Sequence, residues 1–100
     1  MLTLPITRKW YDMILTGEKT EEYREIKPYY NSRFSHLFDV DESGNPTSLD
    51  EYPIVFRNGY SHDSPSFTAN CTLTKGEGHP EWGAEPHKQY WILNIQQLQK

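Results

Sequence analysis

Residues 17–24 read GEKTEEYR, and this stretch decides the predicted fold. A helix is expected to end at its glycine, because glycine readily adopts the left-handed conformation found just after a helix. A charged strand follows immediately, and its alternation puts Thr20, Glu22 and Arg24 on one face. Charges inside a small barrel are costly unless they are paired. Lys19, Glu22 and Arg24 are therefore expected to converge at one barrel mouth, as a structural ion pair or as a functional site.

The residues before this stretch predict a strand and then a helix. Residues 2–6 form a short first strand in this prediction, and Thr7 is a suitable N-cap for a helix over residues 8–16. Trp10 and Ile14 belong to an apolar stripe with helical spacing. That stripe predicts which face of the helix packs on the core.

The rest of the chain predicts a small mixed fold. Four more strands are expected, at residues 20–26, 53–57, 67–74 and 90–95. Aromatic residues four positions apart predict a second helix over residues 29–38. Two polar segments, residues 39–51 and 76–87, are expected to be loops. About five to six strands with two or three helices indicate an α+β fold, a partly open β-barrel with helices over its ends.

Length and charge limit the classes of function that the chain can have. One hundred residues form a single domain, residues 1–100, with one core and room for one cleft. The net charge is -4 and the pI about 5.5, whereas dedicated duplex-binding domains have a pI above about 9. Extended binding to a phosphate backbone is therefore disfavoured. A free nucleoside or a short single strand fits the charge better.

Cysteine usage and hydropathy indicate the compartment. Cys71 is the only cysteine, so no intrachain disulfide can form, which suits a reducing cytosol. No apolar run approaches the ~18 residues of a membrane helix. We therefore expect a cytoplasmic protein that does not contact a membrane. The sequence leaves the oligomeric state open.

No pattern in the sequence indicates a metal or a cofactor. The four histidines lack the spacing of a metal site. A Walker loop and a dinucleotide fingerprint are both missing from the sequence. Cys71 falls on the apolar face of its strand, where an inert core thiol is expected.

A sharp turn is predicted at Asn58-Gly59, because glycine permits a positive φ angle. Arg57 and Tyr60 flank this turn. The guanidinium can bind an anion, and the phenol ring can stack on a base. An ordinary hairpin turn without a binding role explains the same residues.

The loop over residues 76–85 carries a tryptophan among glycines and a proline. Trp82 is costly to leave exposed, so it is expected to pack on the core or to line a cleft. Beside it, Glu81 suits a general acid or base if the loop shields it from water. A loop that only caps the barrel end explains the same residues.

These segments, taken in order, resemble the ASCH family. The resemblance rests on Leu4-Pro5-Ile6, on Trp10 and Ile14, and above all on Gly17-x-Lys19-Thr20-x-Glu22-x-Arg24. Residues 57–60, 78–84 and 90–95 extend it nearly to the C-terminus, whereas residues 39–51 are poorly covered. The resemblance implies a PUA-like β-barrel whose cleft is associated with RNA or nucleosides.

The resemblance also implies an activity. Some small bacterial ASCH proteins are amidohydrolases that remove the acyl group from N4-acetylcytidine and related N4-acylated cytosines, using a threonine, a lysine and a glutamate. Lys19 matches that lysine, but Glu22 stands where the threonine is expected. Thr20, on the same strand face, is a substitute candidate for the threonine. Glu81 is an unaligned candidate for the glutamate.

Three hypotheses of function follow. The first is an amidohydrolase acting on a small-molecule nucleoside, with Lys19, Glu22 and Glu81 as catalytic residues and Thr20, Arg24, Arg57, Asn58, Tyr60 and Trp82 as substrate-binding residues. The second is a non-catalytic module that binds single-stranded RNA, or an RNA-cleaving variant of it. The third is a protein-interaction domain with an empty cleft. A lysine and carboxylates with little basic surface favour the first.

The first hypothesis assigns a chemical role to each charged residue. Glu22 activates a water molecule, and Lys19 steadies the oxyanion that forms. Glu81 or Glu22 then protonates the leaving amine. Arg24 orients the carboxylate, while Trp82 or Tyr60 stacks on the pyrimidine.

Overall fold

A computed structural model describes residues 1–99 of the chain. Its elements are β1 (Leu2–Ile6), α1 (Arg8–Leu15), β2 (Glu21–Glu25), α2 (Pro28–Leu37), β3 (Tyr52–Asn58), β4 (Ser66–Glu77), a 3-10 turn (Pro80–Trp82) and β5 (Gln89–Gln99). The predicted α+β class is confirmed over this range, with five strands and two α-helices. Neither of these helices has the length and apolar character needed to cross a bilayer.

The five strands form one curled sheet in the order β1-β3-β4-β5-β2. β1 runs parallel to β3, and the other neighbouring strands are antiparallel. The sheet curls into a half-barrel, so β1 and β2 are its two edges. These edges come from the two N-terminal strands, which are adjacent in sequence but lie at opposite ends of the strand order.

The main core fills the space between the inner face of the sheet and the two helices. Ile14 of α1 and Phe34 of α2 are 2% and 0% exposed. Phe34 packs edge-on against Trp91 of β5, with ring centroids 5.6 Å apart. Within each helix, residues three or four positions apart share a face, and one such face packs on the core. Leu15 is 43% exposed, since it lies on a different side of α1 from Ile14.

A smaller apolar cluster lies on the other face of the sheet. Tyr23, Tyr90 and Ile92 are buried there under Ala84, with Trp82 packed at the side. Strand alternation explains the division, because successive side chains of β5 point to opposite faces. The segment after β4 therefore covers a second hydrophobic surface.

The loop predicted over residues 76–87 is partly wrong. β4 continues to Glu77, because Gly76 and Glu77 still pair with Tyr90 and Gln89 of β5. The segment then forms a 3-10 turn around Trp82. Backbone pairing has extended the strand past the point where the alternation of apolar side chains stops. The polar loop over residues 39–51 is confirmed, apart from one isolated bridge within it.

Gly78 is required by close packing of this loop on the second cluster. A Cβ atom at this position would lie 2.6 Å from the ring of Tyr23 and 2.7 Å from Cβ of Ala84. We expect Gly78→Ala to lower the free energy of unfolding by about 1–3 kcal/mol, because the core would be overpacked. Urea denaturation followed by circular dichroism measures the change.

Gly76→Ala is the matched control. Its added Cβ would make an ordinary contact, 3.7 Å from Cδ1 of Ile92, and its φ angle is not positive. Its stability should be unchanged or slightly raised, because alanine loses less backbone entropy than glycine. Equal losses in the two variants would contradict the close-packing explanation for Gly78.

The thiol of Cys71 is expected to be unreactive in the folded protein. Cys71 is 0% exposed, and burial raises the pKa of its thiol from 9.0 to about 12. At pH 9 a thiol reagent should label it slowly without denaturant and rapidly in urea, as mass spectrometry can show.

The same buried thiol should make stability depend on pH. Since only the unfolded chain ionises the Cys71 thiol between pH 9.0 and about 12, the free energy of unfolding should fall with pH in that window. The fall should be shallower in Cys71→Ala.

Candidate functional site

A single guanidinium spans the opening between the two edge strands. Arg24 of β2 donates a hydrogen bond from Nη2 to the carbonyl of Pro5 in β1, at 2.8 Å. Its Nη1 donates to the carbonyl of Tyr23 at 3.1 Å and to the carboxylate of Glu22. Arg24 therefore ties β1 to β2 at the place where the curled sheet is not closed by backbone pairing.

Glu22 lies between two cations in this opening. Its Oε1 is 3.3 Å from Nζ of Lys19, and its Oε2 bonds to Arg24. The side chains of Lys19, Glu22 and Arg24 are 0%, 5% and 14% exposed. The expected convergence of the three is confirmed. Dehydrating three charges is expensive, and their mutual pairing offsets that cost.

Lys19 is sealed from solvent by aromatic rings. Its Nζ lies 4.8 Å from the ring centroid of Trp10 and 4.8 Å from that of Tyr23, and it donates to the carbonyl of Trp82 at 2.8 Å. Burial lowers the pKa of Lys19, and the attraction of Glu22 opposes this only in part. In this conformation a ligand has no surface through which to reach the ammonium group.

The end of α1 brings these residues together. The chain leaves the helix at Gly17, which has a φ angle of 84°, and the N–H of Lys19 donates back to the carbonyl of Met13 at 3.0 Å. This places Lys19 beneath the helix before β2 begins. Alternation along β2 then puts Glu22 and Arg24 on the same face, beside the lysine.

A cleft of about 380 Å³ opens onto this charged cluster. Its wall is formed by Pro5, Ile6, Thr7, Trp10, Glu22, Arg24, Asn58, Gly59 and Tyr60. The volume falls within the range of about 300–1,000 Å³ that small-molecule sites have. The cleft thus combines a buried carboxylate, a guanidinium, an indole ring and a side-chain amide.

Four of the predicted site residues line this cleft, namely Glu22, Arg24, Asn58 and Tyr60. Tyr60 is 91% exposed, so its ring stands at the mouth and does not pack on the protein. Arg57 lines a separate hollow of about 190 Å³ next to the cleft. The turn at Asn58-Gly59 is confirmed as a sharp change of direction, with a φ angle of 106° at Gly59.

The structure does not bring the remaining predicted site residues to the cleft wall. Thr20 is exposed, and its carbonyl accepts a hydrogen bond from the N–H of Ile95. Trp82 packs beside the second cluster, where its carbonyl accepts a hydrogen bond from Lys19 and its ring centroid lies 6.0 Å from the Lys19 Nζ. Glu81 has a side chain that is 67% exposed and lies 3.6 Å from His79. The 3-10 turn points its carboxylate outwards, so the loop does not shield it from water.

Trp10 is the cleft residue whose position the sequence analysis missed. The helical stripe assigned it to the core, but Tyr11 and Ile14 are the buried residues of α1. Trp10 is only partly buried and forms both a cleft wall and one side of the enclosure around Lys19. The pattern of α1 does not distinguish Trp10 from the core residues, because segments that are distant in sequence form the rest of the cleft wall beside it.

Two larger hollows occur elsewhere on the described surface. One, of about 420 Å³, lies between residues 45–49 and β4, and the other, of about 510 Å³, lies beside Met1 and α2. Neither wall contains a buried carboxylate or an ion pair. The cleft beside Glu22 is therefore the candidate functional site, because it opens onto a buried carboxylate that is paired with two cations, which neither larger hollow has.

Comparisons with protein-family models, with curated proteins and with solved structures gave no match for this chain. Within residues 1–99, no group of three His, Cys, Asp or Glu side chains is arranged to hold a metal ion.

Glu22→Gln tests whether the buried carboxylate holds the cluster together. The substitution keeps the shape but leaves Lys19 and Arg24 buried without their counter-charge. We expect a loss of about 3–5 kcal/mol in the free energy of unfolding, because an uncompensated buried charge is costly. Chemical denaturation with a two-state fit measures the loss.

Glu25→Gln is the matched control on the same strand. Glu25 pairs with Lys27 and Lys88, but its side chain is 52% exposed. Exposed ion pairs contribute little to stability, so this variant should unfold near the wild-type midpoint. A Glu22→Gln variant as stable as Glu25→Gln would refute a structural role for the buried cluster.

Proposed function

We propose that this protein has the PUA-like fold of the ASCH family and hydrolyses N4-acylated cytosine nucleosides in the cleft beside Glu22. One observation carries the proposal. A buried carboxylate, held on both sides by cations, opens onto a cleft with an aromatic wall. Such a convergence of polar groups in a mostly apolar hollow is typical of small-molecule and catalytic sites.

The walls of the cleft suit a pyrimidine. The indole of Trp10 offers a flat face for stacking, and Tyr60 offers a second ring at the mouth. The side-chain amide of Asn58 can donate to and accept from the polar edge of a base. In this arrangement the base lies between the rings and its N4-acyl group points towards Glu22.

Glu22 is the proposed general base. Its carboxylate takes a proton from a water molecule, whose oxygen attacks the acyl carbon. The tetrahedral intermediate then breaks its bond to N4, and Glu22 returns the proton to that nitrogen. The products are the free cytosine nucleoside and a carboxylic acid. Positioned proton transfer of this kind contributes about 10²–10⁴-fold to a rate.

The buried position of Lys19 changes the role that the sequence suggested for it. Lys19 is bonded to Glu22 and to the carbonyl of Trp82, with no exposed surface, so the proposal makes it a positioning residue. The oxyanion is assigned to Arg24. Its guanidinium lines the cleft, and one N–H of Nη2 is not used in the hydrogen bonds described above. Glu81 has no part in the proposed reaction.

A role in binding single-stranded RNA is less well supported. It would use Lys19, Arg24, Lys27 and Arg57 as phosphate contacts, but Lys19 is buried and Arg24 is bonded to Glu22. Lys27 is paired with Glu25 at 3.3 Å. Counterion release needs cations that are free to meet phosphates. Of these four cations, only Arg57 is thus left for a phosphate within residues 1–99, which is too few for extended binding to a strand.

The test is incubation with N4-acetylcytidine, followed by ultraviolet absorbance. We expect wild-type protein to release cytidine, and Glu22→Gln to slow turnover by about 10²–10⁴-fold, because the general base is removed. Circular dichroism must show that the variant is folded at the assay temperature. Binding of cytidine, measured by NMR titration, should persist in the folded variant.

Two controls make the result decisive. Glu25→Gln should retain wild-type turnover, because Glu25 lies outside the cleft and carries the same charge change. Trp10→Leu should weaken substrate binding and raise KM, because the stacking surface is lost. Absence of hydrolysis by the wild-type protein, or full activity in Glu22→Gln, would reject the proposed reaction.

A further inference from the structure

Arg57 is a cation without a protein partner beside the cleft. Within residues 1–99, its guanidinium makes no hydrogen bond and no ion pair, and its Nε is buried. The side chain lines a hollow of about 190 Å³ together with Thr3. By contrast, Arg24 is bonded to Glu22 and two carbonyls. Arg57 is therefore a half-buried cation of this region that has no counter-charge within residues 1–99.

The hollow at Arg57 adjoins the cleft directly. The two share Pro5, Gly59 and Tyr60 as wall residues. The backbone there is fixed, because the N–H of Gly59 donates to the carbonyl of Ile6 at 3.1 Å. Pro5 and Gly59 therefore separate the cleft from the hollow, and one end of a ligand that fills the cleft lies next to the hollow.

An anion is the class of ligand that fits this hollow. A buried N–H without an acceptor costs free energy, and a planar guanidinium presents its donors in a fork that matches phosphate oxygens. The hydroxyl of Thr3 supplies a further donor in the same wall. No acidic side chain lines this hollow, so an entering anion meets no opposing charge from its walls.

We infer that Arg57 forms a phosphate subsite, so that the cleft takes a nucleotide whose phosphomonoester lies at Arg57 and whose base lies beside Trp10. This inference rests on the proposed function, because it assumes a nucleobase in the cleft. It narrows the substrate class from free nucleosides to nucleoside monophosphates. The base then stacks on Trp10 of α1, and the phosphate contacts Thr3 of β1 and Arg57 of β3.

Binding measurements separate the subsite from the cleft itself. Isothermal titration compares cytidine with its 5′- and 3′-monophosphates on the full chain. We expect at least one monophosphate to bind about tenfold or more tightly than cytidine, since charge-assisted hydrogen bonds are worth that much. Arg57→Gln should remove this gain and leave the affinity for cytidine unchanged. The variant removes no protein hydrogen bond, so it is expected to fold.

Arg33→Gln is the matched control, because it makes the same charge change on α2 and Arg33 lines neither hollow. It should keep the full gain. Equal affinity for cytidine and both monophosphates, or a gain that survives in Arg57→Gln, would overturn the subsite while leaving the nucleoside proposal intact. Failure of cytidine itself to bind would reject the nucleobase cleft, and the subsite with it.

Discussion

The pairing of the Glu22 carboxylate with Lys19 and Arg24 is the interaction on which the rest of the structure depends. It occupies the place where the half-barrel is open, and Arg24 carries the connection across to the backbone of β1. Without the paired charges this gap would expose polar edges of two strands to each other. The same arrangement creates the cleft, because side chains and not backbone hydrogen bonds close the gap.

Much of this arrangement was accessible from the sequence. The glycine after α1 and the alternation of β2 predicted that Lys19, Glu22 and Arg24 would meet, and both signals are local. A helix end and a strand face are decided by a few neighbouring residues. The class of fold followed from the same kind of signal, because strand and helix periods differ clearly over short windows.

The parts that the sequence did not predict depend on contacts between distant segments. Trp10 faces the cleft because β2 and the turn after β3 arrive beside α1, and no pattern within α1 encodes that. Glu81 points outwards because the next residue of the 3-10 turn, Trp82, faces inwards. The carbonyl of Trp82 accepts a hydrogen bond from Lys19. The length of β4 was underestimated because backbone pairing with β5 continues where apolar alternation stops. Periodicity reports burial and carries no information about such pairing.

The strand order has a consequence for how the molecule is assembled. Among the described strands, β2 pairs only with β5 and β1 only with β3, so each side of the cleft depends on a strand that is synthesised much later. Contacts of large sequence separation form slowly, because a long loop must first be closed. Until the fifth strand docks, the acidic and basic groups of β2 keep their hydration. Dehydration of Lys19, Glu22 and Arg24 is thus coupled to contacts between segments that are far apart in the sequence.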